Sequence, residues 1–258
     1  MGHIMHSTQT EILSTIIIIA SVFLGVIIFY MIYTFRKQHR KIVAWQEARI
    51  KAEIDTLENE RRRIAADLHD DIGPMLSAIK LHINHVEPVN EEEKIIIERS
   101  GKLMDEVIHR FRGIAYDLLP NTLIRKGLIK AIPEFISKIN EAHNLKINFI
   151  HDEDIQLPAE SELNLYRIVQ EIIHNTIKHA RATELTITLQ KKEKQLVCTT
   201  ADNGKGFYYD GINISDAAGL GLLNIQNRVT LLNGNLTIKS ENLKGTNYFI
   251  LIPLENDD

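Results

Sequence analysis

"SELNLYRIVQEIIHNTIKHA", residues 161–180, decides how the second half of this 258-residue chain folds. Its apolar positions recur at helical spacing, with Ile168, Ile172 and Ile173 among them. Glu171, Asn175 and His179 follow at i, i+4 and i+8, so they share one polar face of the predicted helix. Such a row is either a solvated face or one wall of a site. The amide oxygen of Asn175 is a hard donor suited to Mg²⁺, which prefers oxygen ligands and keeps waters and phosphates as its other ligands.

The flanks alternate between two hydrophobic periods. "KGLIKAIPEFISKINEAHN" (126–144) reads as an amphipathic helix, and "LLNIQNRVTLLNG" (222–234) as a helix stopped by Asn233-Gly234. "LKINFI" (145–150), "ELTITLQ" (184–190), "QLVCTTADN" (195–203), "NLTIKS" (235–240) and "TNYFILIPL" (246–254) read as strands. Between 204 and 221 lies a glycine-rich loop without a packing pattern. Residues 121–258 are therefore expected to form an α/β domain.

Three more polar stations follow Asn175. "ADNGKGF" ends a strand in Asp202, where a carboxylate can accept from an exocyclic amine, with Gly204 and Gly206 allowing close backbone approach. "AGLGLLNIQNR" opens a helix with Gly219, Leu220 and Gly221, whose free N–H groups suit phosphate oxygens. A Lys-Gly-Thr turn, Lys244 to Thr246, precedes the last strand. Each station alone is common; their order is much more specific. It resembles the ATP-binding domain shared by gyrase-type ATPases, heat-shock 90-type chaperones, mismatch-repair ATPases and sensor histidine kinases. The resemblance implies an α/β sandwich with a mobile lid, here residues 205–220. It implies that Asn175 coordinates Mg²⁺, that Asp202 reads the adenine amine, and that Gly204 and Gly206 shape the base pocket. Gly219, Leu220 and Gly221 would border the phosphates, and Thr246 would support adenine through water. Glu171 matches the water-activating carboxylate of hydrolysing relatives; here it would position water or polarise the attacking group. Lys178 and His179 would touch phosphates or the metal shell. No GxxxxGKS or GxxxxGKT occurs, so this is not the P-loop route to ATP.

The first half has a different texture. Ile12 to Phe35 holds 24 residues without one charge, enough to cross a bilayer core as a helix. "RKQHRK" follows at once and no Lys or Arg precedes the stretch. The positive-inside rule then predicts a single-pass anchor in the cell membrane, residues 1–11 outside and everything after Phe35 in the cytoplasm. From residue 36 to 60 a juxtamembrane coiled-coil helix is expected. Ile50, Ile54, Leu57, Arg61, Ile64, Leu68, Asp71 and Met75 keep a 4-3-4-3 spacing, an a/d seam. Pro88 and Asn90 mark a turn, and a second helix runs from about Glu91 to Leu119, ended by Pro120. Two antiparallel helices cannot bury both faces alone, so residues 61–120 are predicted to form a four-helix bundle as a homodimer.

"DLHDDIGPMLSAI" (67–79) lies on that seam. With "RRRIAA" before it and "KL" after, it resembles the dimerisation and phosphoacceptor helix of sensor histidine kinases, in the branch of the nitrate-sensor and membrane-fluidity-sensor kinases. The resemblance covers residues 55–258 and implies that His69 receives the γ-phosphoryl group of ATP. Leu68 faces the seam, which places His69 on the flank. A neutral imidazole is a competent nucleophile, and Asp70 can hold one ring N–H and act as base. One departure stands out: the branch reads HDxxxQ, with the glutamine held to position a dephosphorylating water, and here that position is Pro74. Phosphatase activity is therefore expected to be weak. Pro74 also lacks an N–H, which leaves the carbonyl of Asp70 without its helical partner and predicts a kink below His69.

The formal charge of −4 argues against direct, sequence-independent nucleic-acid binding, and the single cysteine, Cys198, excludes an intrachain disulfide framework. His82, His85, His109 and His174 are read as structural and Cys198 as a strand core residue. The expected function is a membrane-anchored, ATP- and Mg²⁺-dependent histidine kinase in contact with membrane lipid. It would pass its phosphoryl group to an aspartate of a response regulator, with helix-turn-helix output implied by the branch. Its rivals are a hydrolysing ATPase of the same fold, with Glu171 as base, and a non-catalytic dimeric scaffold.

Overall fold

The computed structural model describes residues 2–208 and 219–254, with side chains from Phe23 onward except at Glu141 and Ala142. The expected lid falls largely on 209–218, outside the described residues. The chain divides into two compact units, residues 1–51 and 52–258. The first is helical from Gly2, within helix α1 (Gly2–Asp67). Among the described residues no helix is long and apolar enough to cross a membrane, so the expected span Ile12–Phe35 is not borne out there. Its first eleven residues, like the expected external tail, belong to the part whose side chains are outside the description.

In the second unit, the end of α1 passes through a π-helical turn, Leu68–Ile72, into helix α2 (Gly73–Asn84). The interruption expected at Gly73-Pro74 thus takes the form of a widened turn. The Gly73 N–H reaches back five residues to the Leu68 carbonyl, and Ile72 and Gly73 keep right-handed helical angles. Pro74 then sits in the first turn of α2. Helix α3 (Glu91–Leu118) returns antiparallel to α2. Asn90 caps it by accepting the Glu93 N–H at 2.8 Å, while the Glu93 carboxylate accepts the Val89 N–H at 2.9 Å. Lys80 pairs with Asp105 between the two helices. The hairpin buries none of its own residues: Met75, Ile79, Ile96, Leu103, Val107 and Ile114 are all exposed.

Within one chain the seam predicted on α1 is covered only in part. Ile54 is buried, but Leu57 and Met75 are open to solvent, and the buried stripe is Ile54, Glu58 and Ala65. That stripe faces the α/β domain of the same chain, which selects a different face of the helix from the 4-3-4-3 pattern.

A short helix α4 (Asn121–Lys126) and helix α5 (Leu128–Ala142) lead into the α/β domain. Helix α6 (Ala159–Asn175) and helix α7 (Gly219–Leu231) complete its helical layer. The strands are β1 (Lys146–His151), β2 (Glu184–Lys192), β3 (Gln195–Asp202), β4 (Asn235–Ser240) and β5 (Thr246–Pro253), within two residues of the sequence reading. They form one mixed sheet in the order β1-β2-β3-β5-β4, with β1 parallel to β2 and the other pairs antiparallel. Alternation puts Leu185, Ile187, Leu189, Leu196, Cys198, Ile250 and Ile252 on one face, where they meet Ala131, Ile132, Ile168, Ile172, Ile225 and Val229 of the helices. Cys198 is fully buried there, as read from sequence, and burial pushes its thiol up to about 12. The core thus fixes α6 and α7 side by side on the sheet, with β3 ending at Asp202 beside them.

Candidate active site

Between the end of α6, the end of β3 and the start of α7 lies a cavity of about 1010 Å³. Glu171, Asn175, Lys178 and His179 form one wall. Asp202, Gly206, Thr246 and Tyr248 form the base, and Gly219, Leu220 and Gly221 the rim. The α-helical row expected for Glu171, Asn175 and His179 stops at Asn175, because Thr176–Ala180 is a second π-helical turn. Lys178 and His179 of this turn, three and four residues after Asn175, both line the cavity beside Glu171 and Asn175. Arg181 ends the segment in the left-handed region at φ 52°, and the Lys205 N–H closes the loop onto the Ala180 carbonyl at 2.8 Å.

Asp202 is nearly buried, and its Oδ1 accepts the Gly204 N–H at 2.8 Å. Burial pushes its carboxyl up, while the backbone N–H groups of Gly204 and Thr246 pull it back without cancelling the rise. Behind it, Gly245 adopts φ 74°, and a Cβ there would collide with the Asp202 carbonyl oxygen. Gly204 needs a correction: it does not line the cavity but packs on the backbone of Ala180, where a side chain would not fit. Its part is to let β3 turn and to donate to Asp202. Thr246 lines the cavity, and its hydroxyl lies 3.0 Å from Ser240 Oγ, which accepts the Phe207 N–H at 2.9 Å. Ser240, Asn242 and Leu243 were missed in the sequence, and Lys205 and Tyr208 entered only as part of the expected lid. They come from loops and a strand end with no period to mark them, although Lys205 lies inside the DxGxG pattern.

Gly221 opens α7 directly against the polar wall. A Cβ there would strike Glu171 Oε1 and press on the Asn175 amide. The close approach puts the free N–H groups of the first turn of α7 over Glu171 and Asn175, an arrangement suited to phosphate. Among the described residues no group of three or more His, Cys, Asp or Glu could hold a metal by itself. An amide oxygen and one nearby carboxylate do fit Mg²⁺ carried on phosphates, since that ion keeps most of its ligands from phosphate and water.

His69 stands apart from this cavity. Its ring is 83 % exposed, on the π turn, and Nδ1 lies 3.1 Å from Asp70 Oδ1. In the tautomer where Nδ1–H donates to the Asp70 carboxylate, the Nε2 lone pair is free on the exposed ring. Neither His69 nor Asp70 lines the nucleotide-sized cavity. His174, read as structural, is edge-on to Phe135 at 5.8 Å, and burial pushes its imidazole pKa down.

Comparison with known proteins matches these two sites to two domains. Residues 60–123 match the family described as histidine kinase, and residues 160–256 the family described as histidine kinase-, DNA gyrase B-, and HSP90-like ATPase. The sensor histidine kinase LiaS of Bacillus subtilis (strain 168) is 30 % identical over 81 % of this chain and 58 % of its own length. The signal transduction histidine-protein kinase/phosphatase DegS of Brevibacillus brevis is 28 % identical over 80 % of this chain and 54 % of its own. The chain thus spans somewhat over half the length of the curated relatives it matches. Among solved structures, the Erythrobacter litoralis EL346 blue-light activated histidine kinase superposes with a TM-score of 0.47 at 19 % identity, over 64 % of this chain and 62 % of that one. That likeness is too loose to bear on the fold. With a segment of the histidine kinase family at residues 60–123 followed by an ATPase domain of the histidine kinase, gyrase B and HSP90 type at 160–256, the chain carries the two domains of a histidine kinase and is similar to the sensor kinases LiaS and DegS.

Proposed function

We propose that this chain is an ATP-dependent protein-histidine kinase that phosphorylates itself on His69 and then transfers the phosphoryl group to an aspartate of a response regulator. The observation that carries the reading is the pairing, in one chain, of an exposed imidazole oriented by Asp70 with a cavity walled by Asn175, Asp202 and the glycine-opened helix α7. In this reading Asp202 accepts the adenine amine and the α7 N-terminus with Lys178 binds phosphate oxygens. Bound through Asn175, Mg²⁺ supplies charge neutralisation on the phosphates. Asp70 holds Nδ1–H and can take up that proton while Nε2 attacks the γ-phosphorus, the bond to the β–γ bridging oxygen breaks and ADP leaves, and Glu171 orders the polar wall beside the phosphates.

We further infer a homodimer, since the apolar residues that the α2–α3 hairpin leaves exposed are those a four-helix bundle would cover. The Ile12–Phe35 stretch supports a single-pass membrane anchor: Phe23, Phe29 and Phe35 are 67 %, 72 % and 68 % exposed, and four basic residues follow. The name of DegS includes phosphatase. Here Pro74 stands where the branch's glutamine would be, and we propose that any phosphatase activity is weak.

The test is incubation of the purified full chain with γ-labelled ATP and Mg²⁺ beside His69→Gln and Asn175→Ala. The kinase reading requires acid-labile, base-stable label on the wild type and none on either variant. Label retained by His69→Gln would overturn it, and phosphate release without label would favour a hydrolysing ATPase with Glu171 as base.

A further inference from the structure

The most buried ion cluster described lies away from the cavity, on the helix that carries His69. Glu58 of α1 is 6 % exposed, and it meets Arg167 of α6 and Arg228 of α7, at 4 % and 6 %. Glu58 Oε2 accepts from Arg167 Nη2 at 2.9 Å, and Oε1 from Arg228 Nη2 at 2.6 Å. Arg167 Nε bridges both oxygens at 3.1 and 3.2 Å. Other donors of the two arginines are also engaged. Arg167 Nη1 donates to the Asp117 carbonyl at 2.7 Å and to Gln170 Oε1 at 2.9 Å, and its Nη2 donates to the Leu118 carbonyl at 2.8 Å. Arg228 Nη1 donates to Asn164 Oδ1 at 2.9 Å. One carboxylate therefore ties together α1, the end of α3, α6 and α7.

We propose that Glu58, with Arg167 and Arg228, is a positioning clamp that holds the ATP-binding domain against the phosphoacceptor helix with His69 out of reach, and that autophosphorylation requires its release. The inference rests on the kinase reading above. Three features carry it. First, the clamp shares both of its domain-side helices with the nucleotide site. Arg167, Glu171 and Asn175 are one i, i+4, i+8 row on α6, and Arg228 lies two turns from Gly221 on α7. Second, in the clamped arrangement His69 is solvent-exposed and absent from the cavity wall, whereas transfer needs the imidazole within about 3–3.5 Å of the γ-phosphorus. Third, the cluster is charge-unbalanced. Withdrawing Glu58 by a slide or rotation of α1 leaves two buried guanidiniums with no anion between them. They repel and cannot stay dry, so the contact is either closed or open rather than graded.

Arg61 extends the device to the site. It lies one turn beyond Glu58 and 3.5 Å from its carboxylate, and it shares with Glu171 a small cavity of about 180 Å³. Glu171 acts electrostatically on the Arg61 guanidinium. While the clamp is closed, the phosphoacceptor helix thus sets a cation beside the carboxylate of the nucleotide wall. Opening removes both restraints together.

The test uses the full chain in detergent micelles with labelled ATP-Mg²⁺, comparing wild type, Glu58→Gln and Arg61→Gln. The initial rate of His69 labelling at saturating ATP is measured beside the Kd of a fluorescent ATP analogue. Glu58→Gln is expected to raise the saturated rate at least tenfold with Kd changed less than threefold, and Arg61→Gln to raise it two- to fivefold. A merely structural role would lower the rate and weaken nucleotide binding in parallel. Rates that fall or stay within twofold of wild type, in variants that still bind the analogue, overturn the clamp. If Glu58→Gln does not fold, the half-exposed Arg61 variant decides alone by the same criterion. Absence of label on every protein, wild type included, refutes the kinase reading instead.

Discussion

Asp202→Asn separates two consequences of one buried carboxylate. The substitution keeps the shape of the side chain, and an amide Oδ1 can still accept the Gly204 N–H that Asp202 accepts at 2.8 Å. What changes is the edge facing the cavity, where an acceptor becomes an NH₂ donor opposite the adenine amine. A hydrogen bond to a charged acceptor contributes about 1.5–3 kcal/mol. At about 1.4 kcal/mol per tenfold, ATP should bind roughly 10- to 150-fold more weakly. Guanine presents an acceptor at the same place, so the preference for ATP over GTP should narrow. Stability should move the other way. Burial raises the Asp202 carboxyl above its ordinary value. A carboxyl raised in the folded state favours folding most when protonated, and that contribution is lost as pH rises through the folded value. At pH 7 the wild type carries this cost and the asparagine variant does not. The nucleotide-free variant should therefore melt at or above the wild-type temperature at pH 7, with the difference shrinking as pH falls toward about 4. Competition with a fluorescent nucleotide and melting curves at the two pH values read both effects. An ATP affinity within threefold of wild type, or a variant melting several degrees lower at pH 7, would refute the reasoning.

Further outcomes follow from individual contacts. Gly221→Ala places a methyl against Glu171 Oε1 and Asn175, and should lower the His69 labelling rate at least tenfold while shifting the nucleotide-free melting temperature little. Thr200 is 3 % exposed and its hydroxyl has no hydrogen-bond partner among the described residues. Thr200→Val should stabilise by about 1 kcal/mol, raising the melting temperature by about 2–4 °C in calorimetry. Pro74→Gln restores the side chain usual in the branch, and should speed loss of phosphate from a phosphorylated response regulator while leaving His69 labelling measurable. An unchanged dephosphorylation rate would show that Pro74 is not what limits it.

The α/β half was legible because its signals are local. Every strand announced itself by alternation, and the nucleotide stations are glycines and polar residues at segment ends, where backbone geometry restricts the choice of residue. A period of 3.6 carries no warning that Thr176–Ala180 widens to a π turn, although His179 still joins Glu171 and Asn175 on the cavity wall. Pro74 did signal an irregularity, and the lost N–H was correctly placed. Its outcome is a π turn, in which the Gly73 N–H reaches the Leu68 carbonyl five residues back.

Glu58 shows why the rest could not be read. In the sequence it is one of many charged residues on a helix between Lys51 and Asp71, and the apolar seam beside it points to another face. Its burial depends on Arg167 and Arg228, 109 and 170 residues away, and no local pattern encodes that pairing. Burial raises a lone carboxyl, yet here the guanidiniums of Arg167, Arg228 and Arg61 outweigh burial and hold Glu58 below the ordinary range. Its contribution to stability is present above the ordinary value and is lost only as pH falls below it, toward the lowered folded value. At neutral pH the clamp is therefore ionised and closed on electrostatic grounds. Protonation within the physiological range does not open it, whereas a displacement of α1 that takes Glu58 out from between the two arginines would.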